Sequence, residues 1–170
     1  SKYPKIFLAI SKSNFLSLSN VNNALSNNDK ASLTEPSEIL TIRDEYLDLV
    51  PDKQLEGAKT LASKTYTFEE FVVLHKDRFP TARLNPVTQA PKVVLHGHCH
   101  TKALIGNTAT IKALELAGYA VEAMDTGCCG MAGSFGYDDD TYELSMEIGW
   151  QRLFPQLGNL AAETQICAPG

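Results

Sequence analysis

The sequence predicts an α/β fold in which a parallel sheet is flanked by helices. After Pro91, short apolar runs alternate with segments of helical periodicity, and the first run ends in a loop at His96-Gly97. The order from residue 91 to residue 170 is strand, helix, strand, helix, strand, and such alternation predicts parallel strands with right-handed crossovers. The carboxyl ends of the strands then lie at one edge of the sheet, where open α/β sheets bind ligands.

Each element of residues 91–170 depends on a local signal. Strands are predicted at 93–95, 120–124 and 164–168, and helices at 101–117 and 140–153. Gly118 ends the first of these helices, and acidic residues that suit the helix dipole begin the second. A glycine-rich loop at 127–136 joins the second strand to the second helix.

The first 90 residues give weaker signals. We expect a short strand at 6–10 and helices at 21–26, 37–49, 54–63 and 67–74, with Pro51 after the second helix. Three prolines between residues 79 and 91, without clean periodicity, predict an extended connection between two sub-units. The expected division of the chain is therefore 1–90 and 91–170.

Composition limits the classes of function. The chain has 170 residues with 44% hydrophobic content, enough to bury a core, and a formal charge of −5. That charge argues against a nucleic-acid partner, because neutralising phosphates requires clustered Lys and Arg. The apolar runs fall short of the roughly 20 residues that a membrane span needs. The N-terminus lacks a signal-peptide pattern, so we expect a soluble, cytoplasmic protein.

The cysteines favour metal binding or redox chemistry over a disulphide framework, because there are only four and two are adjacent. Cys99 lies four residues past the strand predicted at 93–95, and Cys128 and Cys129 follow the strand at 120–124 by a similar distance. The topology therefore brings three thiols to one sheet edge, where sulphur ligands select zinc, copper(I) or an iron–sulphur cluster. Adjacent thiols suit a multinuclear cluster best. The alternative is a flexible strand-to-helix turn with buried free thiols.

Three histidines alternate around Cys99, namely His96, His98 and His100. They are candidates for metal ligation, for tuning proton-coupled electron transfer, or for hydrogen bonding within the loop, and hydrogen bonding is the best single expectation. The fourth cysteine, Cys167, lies within the third strand and is expected to be a core thiol. No residue is assigned a catalytic role.

Two segments resemble the cysteine-rich CCG domain family: residues 96–104, with the sequence HGHCHTKAL, and residues 127–137, with the sequence GCCGMAGSFGY. Shorter similarities at 35–37, 43–46 and 142–146 extend the resemblance to about residues 33–170. The chain looks most like the iron–sulphur portion of FAD-linked 2-hydroxyacid dehydrogenases, such as the D-lactate dehydrogenase and glycolate oxidase types. It is more distantly similar to the cysteine-rich subunit of heterodisulphide reductase.

The resemblance implies a pseudo-repeated fold. Each of two similar halves supplies an isolated cysteine, a Cys-Cys-Gly turn and a later cysteine to an iron–sulphur cluster or, in some members, to zinc. Cys99 matches the first ligand of the second half, and Cys128 and Cys129 match its pair. The last ligand is expected beyond residue 170, so this half is C-terminally truncated. The first half is an incomplete remnant, because its Cys-Cys-Gly turn is missing and Glu38 stands where the pattern places a cysteine.

The resemblance also implies an electron-transfer module. The candidate cofactor-binding and metal-binding residues are Cys99, Cys128, Cys129, His96, His98 and His100. The parent protein would oxidise a 2-hydroxy acid at FAD in a flavin-containing domain or subunit and pass electrons through the cluster to a quinone or another acceptor. The chain itself has no Gly-x-Gly-x-x-Gly fingerprint, so FAD and substrate chemistry belong elsewhere in the parent protein.

Two other functions stay open. The same thiolates would form a structural zinc module that docks a partner subunit without redox turnover. Alternatively, Cys128 and Cys129 would form a thiol–disulphide couple, which the strained eight-membered ring disfavours.

A homodimer that completes the sheet also stays open, because the absent first half leaves surface unpaired. The partners would bring the protein to the inner face of the membrane.

Overall fold

Two three-stranded parallel sheets organise the chain in the computed structural model, which describes residues 7–9, 31–33, 35–78 and 90–169. The first sheet has the order β1-β2-β3, with β1 at Phe7–Ala9, β2 at Ala31–Leu33 and β3 at Thr65–Tyr66. The second has the order β5-β4-β6, with β4 at Lys92–Leu95, β5 at Ala120–Ala123 and β6 at Gln165–Cys167. Together with the flanking helices, these sheets confirm the predicted α/β class.

The described residues 35–78 contain four helices, namely α1 (Pro36–Arg43), α2 (Glu45–Leu49), α3 (Leu55–Lys64) and α4 (Phe68–Leu74), of which α1 and α4 pack on β2 and β3. Short 3-10 turns lie at Asp52–Gln54 and Lys76–Arg78. The single helix predicted at 37–49 is wrong, because Asp44 leaves the helical region at φ −123° and ψ −86° and separates α1 from α2.

The short strands of the first sheet were only partly predictable. The strand expected at 6–10 is confirmed by β1, whereas β2 and β3 have three and two residues and are too short to show a period in the sequence. The helices expected at 54–63 and 67–74 are confirmed by α3 and α4. The helix predicted at 21–26 and most of the connection predicted at 79–91 lie outside the described residues.

The second sheet is centred on β4, its most continuously apolar strand. Val93, Val94 and Leu95 are at most 5% exposed, as expected for a strand that is covered on both faces. Leu95 pairs with Ala123 of β5 on one side and with Cys167 of β6 on the other. All three strands of this sheet agree with the predicted ranges to within one residue.

The single helix predicted at 101–117 is wrong, because the structure has two: α5 (Cys99–Leu104) and α6 (Thr108–Leu116). Gly106 between them takes a φ of +73°, which favours glycine. The N–H groups of Ile105 and Gly106 both donate to the carbonyl oxygen of Thr101, at 3.0 and 2.8 Å. This bonding closes α5 before α6 begins.

The last helix, α7 (Tyr142–Gly158), runs beyond the predicted range of 140–153 because it continues through Pro155. A proline in a helix cannot donate to the carbonyl four residues earlier, which here belongs to Gln151. Pro155 and Gln151 are both exposed, so that water can satisfy this carbonyl.

Helices of the first part contact helices of the second. α1 packs on α5, and α4 packs on α6. Ile39 and Leu40 of α1 are each 1% exposed, and α1 packs on α3, where Ala58 and Leu61 are also buried. This packing brings the start of α1 close to the start of α5. None of the helices in the described part of the chain is long and apolar enough to cross a membrane.

Candidate metal centre

Three cysteines lie at the carboxyl edge of the second sheet. Cys99 is the first residue of α5, which follows β4, and Cys128 and Cys129 lie in the loop that follows β5. Cys128 and Cys129 are both close enough to Cys99 to act electrostatically on its thiol group. All three are free thiols. The structure thus brings together the three cysteines that the sequence placed at one edge.

The Cys99 thiol is held in its protonated form. Although Cys99 as a residue is exposed, partial burial of its thiol raises the pKa, and the neighbouring Cys128 and Cys129 raise it further. The backbone N–H of His100 opposes this shift in the pKa by donating to the sulphur. Binding a metal at Cys99 would therefore release a proton.

The turn that carries Cys128 and Cys129 depends on Gly130. Gly130 has a φ of +90°, and its N–H donates to the Cys128 sulphur at 3.3 Å. A Cβ atom at Gly130 would overlap the carbonyl oxygen of Ser145 and lie 2.9 Å from the Ser145 carbonyl carbon. The turn therefore needs glycine both for its backbone conformation and for its close approach to α7.

Helix α7 holds this loop at two places. Ser145 and Gly149 are buried small residues one turn apart on α7, and a Cβ atom at Gly149 would lie 3.1 Å from the Cys129 carbonyl oxygen. Further along the helix, Arg152 donates to the Asp125 carboxylate at 2.8 Å, and Gln156 donates to the Asp125 carbonyl oxygen at 3.0 Å. The loop from Asp125 to the Cys-Cys-Gly turn is thus fixed against one helix.

His96, Thr126 and Lys102 form a polar network beneath the cysteines. His96 is 8% exposed, and its Nδ1 atom is 2.5 Å from the Thr126 hydroxyl oxygen. The Lys102 ammonium donates to the carbonyl oxygens of Thr126 and Gly127, at 2.6 and 3.2 Å. Sequence reasoning assigned no role to Thr126 or Lys102, since no pattern indicated that a helical lysine would reach the following loop.

His98 and His100 face carboxylates from the first part of the chain. His98 caps α5, where its Nδ1 atom accepts from the Thr101 N–H at 3.5 Å, and its Nε2 atom lies 3.7 Å from a Glu35 oxygen. The Nε2 atom of His100 lies 3.4 Å from a Glu45 oxygen. His98 therefore caps α5 through Nδ1, with the Glu35 carboxylate near its Nε2 atom. Sequence reasoning did not assign these two carboxylates to the site.

Glu38, which stands at a position where a cysteine was expected, lies exposed in the first turn of α1. Its backbone N–H donates to the Glu35 carboxylate at 2.9 Å. The Glu35 carboxylate, which accepts this bond, also lies near a histidine of the site.

Cys167 lies on the other side of β4 from the strand that leads to Cys128 and Cys129. It lies in β6, and its carbonyl oxygen accepts from the His96 N–H at 2.9 Å. Burial raises the pKa of the Cys167 thiol, and the nearby Glu69 carboxylate raises it further. The side chain is only half-buried, and its role as a core thiol stays a prediction.

The donor chemistry fits a thiophilic metal centre. Three thiols share one edge, and the Gly130 N–H donates to one of them, which is a contact that tunes metal-bound sulphur. Within residues 35–78 and 90–169, however, no three His, Cys, Asp or Glu groups converge as the ligands of one metal ion. The residues therefore fit such a centre by chemical type.

Burial of His96 leads to a prediction about stability and pH. Burial lowers the pKa of His96 below its ordinary value of 6.5, and the charges of Lys102 and His98 lower it further. The unfolded chain accepts a proton that the folded chain resists, so we expect the free energy of unfolding to decrease as the pH falls below 6.5. In urea titrations between about pH 5 and pH 8, a His96→Asn variant should show a smaller decrease. Equal slopes for both proteins would contradict this assignment.

Comparisons with known proteins give one kind of relative. The chain is 30% identical over 125 residues to a subunit of the anaerobic glycerol-3-phosphate dehydrogenase of Escherichia coli (strain K12) and, to the same extent, to the corresponding protein of Escherichia coli O157:H7. The aligned region is 72% of this chain and 29% of either relative. The chain thus spans less than a third of the length of these relatives. No family profile matches the chain, and no solved structure matches it significantly.

Proposed function

We propose that the chain is an electron-transfer module that holds an iron–sulphur cluster within a flavin-linked oxidoreductase. The observation that carries the proposal is the position of Cys99, Cys128 and Cys129 at the carboxyl edge of the second sheet, directly after the neighbouring strands β4 and β5. The similarity to part of a dehydrogenase supports the oxidoreductase context. When bound, such a cluster would accept and release single electrons.

In this proposal the three cysteines are the ligands and the histidines act around them. The Gly130 N–H would moderate the negative charge on the Cys128 sulphur. His98 caps α5 through Nδ1, and His100 faces Glu45 through Nε2, so we propose that both orient the Cys99 segment. We propose His96 as a further metal ligand that would bind through Nε2, because its Nδ1 atom contacts Thr126.

We further propose that the chain divides near residue 90. Residues 1–90 would be the incomplete remnant of a first CCG-like half, and residues 91–170 the second half with all three ligand cysteines. The CCG resemblance and the presence of a parallel sheet in each part support this division. The glutamates that face His98 and His100 would then couple the remnant to the second half.

For the parent protein we propose a flavin-containing partner and a quinone or another acceptor, with assembly at the inner face of the membrane. The CCG resemblance favours a 2-hydroxy acid such as D-lactate or glycolate as the substrate. The relative is named for glycerol-3-phosphate. These compounds share an alcohol carbon that is oxidised to a carbonyl, and we propose that oxidation as the reaction that supplies the electrons.

The test is anaerobic reconstitution of the chain with ferrous iron and sulphide, followed by visible absorbance and by iron, sulphide and zinc analysis. We expect a brown protein that loses most of its iron and sulphide on Cys128→Ser, because a missing thiolate leaves the cluster without a ligand. Cys167→Ser is the matched control and should keep its metal content.

Other outcomes of this experiment are equally informative. Zinc alone in the native chain would favour the structural docking module over electron transfer. A colourless chain without metal would contradict the proposal, as would equal metal loss in the Cys128→Ser and Cys167→Ser variants.

A further inference from the structure

Lys102 connects the helix that begins at Cys99 with the loop that carries Cys128. It belongs to α5, the helix that begins with Cys99, and its ammonium donates to the carbonyl oxygens of Thr126 and Gly127 at 2.6 and 3.2 Å. Gly127 directly precedes Cys128. One side chain therefore spans from the helix of the first cysteine to the loop of the second.

Among the described residues, no carboxylate neutralises the charge of Lys102. Several other cations of the described chain pair with acidic groups, for example Lys92 with Glu122 and Arg43 with Glu70. Lys102 forms no ion pair within the described residues. Its partly buried ammonium donates to two backbone carbonyl oxygens, so its hydrogen-bonding capacity is directed at the loop.

Thr126 is fixed from two sides. Its carbonyl oxygen accepts from Lys102, while its hydroxyl contacts the buried ring of His96, which follows β4. Thr126, near the start of the loop that carries Cys128, therefore contacts both the residue after β4 and helix α5. Removal of the ammonium would leave two carbonyl oxygens without their charged donor and would release the side of the loop nearest Cys128.

We propose that Lys102 is a positioning residue that sets the separation between the Cys99 and Cys128 thiols by pinning the loop at Thr126 and Gly127 to α5. What those thiols hold rests on the proposed function, but their separation does not.

The test uses phenylarsine oxide, which forms two As–S bonds with a pair of nearby thiols and releases water. In the reduced, metal-free chain with Cys129→Ser and Cys167→Ser, only Cys99 and Cys128 remain to bind it. The second As–S bond forms within one molecule, so the affinity measures the effective concentration of one thiol at the other.

The reference is the chain with the two Cys→Ser changes and an intact Lys102, called here the parent chain. We expect Lys102→Met to weaken its affinity for the arsenical by about tenfold or more. Lys102→Arg keeps a charged donor, so its affinity should stay within about threefold of that of the parent chain. Lys112→Met is the matched control, because Lys112 is an exposed lysine of α6. It should bind like the parent chain. Thermal melting by circular dichroism verifies that each variant is folded.

Unchanged affinity in a folded Lys102→Met variant would overturn the proposal, and so would equal weakening by Lys102→Arg and Lys102→Met. If Lys102→Met does not fold, Lys102→Gln replaces it: weak binding by this variant beside tight binding by Lys102→Arg supports the proposal, and parent-like binding by both overturns it. No iron is involved, so failure here leaves the electron-transfer proposal standing.

Discussion

Replacing Gly130 by alanine should lower the free energy of unfolding by about 3 kcal/mol or more, because backbone strain and steric overlap add together. The φ of +90° is unfavourable for any residue with a Cβ atom, and that atom would overlap the Ser145 carbonyl oxygen on α7. The overlapping oxygen belongs to the backbone and not to a flexible side chain, so the overlap is relieved only if the loop or the helix shifts. Urea denaturation followed by circular dichroism measures the change.

Gly106→Ala is the matched control for this prediction. Gly106 also has a left-handed φ, +73°, but nothing lies within 4 Å of a Cβ atom placed there. Only the conformational cost remains, which is about 1 kcal/mol. A loss in Gly130→Ala no larger than the loss in Gly106→Ala would show that α7 does not hold the turn as tightly as described.

Truncation of Leu95 to alanine should have a comparably large effect, about 3 kcal/mol, because it removes a buried side chain and leaves a cavity. Leu95 is 0% exposed in the central strand of the second sheet and pairs with strands on both sides. It also immediately precedes His96, so a relaxed β4 would disturb the first segment of the candidate metal centre. Chemical denaturation of the metal-free chain measures the change without interference from a cofactor.

Ile166→Ala in the neighbouring strand β6 serves as the control, because Ile166 is 48% exposed. Its loss should stay within about 1 kcal/mol, since less apolar surface returns to water. If the two truncations destabilise the chain equally, β4 is not the principal core strand.

The sequence predicted the second sheet well because its signals are local. Val93, Val94 and Leu95 form a continuous apolar run that only a covered strand explains. The break between α5 and α6 was missed, since a lone glycine inside a helical pattern does not show that its φ is +73°. The strand β3 was missed for another reason, because two residues carry no period.

The candidate site was predictable in its cysteines but not in its supports. Strand ends at a common edge were enough to bring Cys99 to Cys128. The contacts of Glu35 with His98 and of Lys102 with Thr126 connect residues 63 and 24 positions apart in the chain. Such partners are selected by the packing of whole elements, and a periodicity within one element contains no information about them.

The attachment of the cysteine loop to α7 has a kinetic consequence. Arg152 and Gln156 hold the loop at Asp125, and Ser145 and Gly149 pack against its turn. Loops usually open separately from the elements around them, but a loop held at both ends by one helix belongs to the same cooperative unit as that helix. Movement of the Cys-Cys-Gly turn itself would then follow the sub-global opening of α7, which is slower than the motion of a fluctuating surface loop.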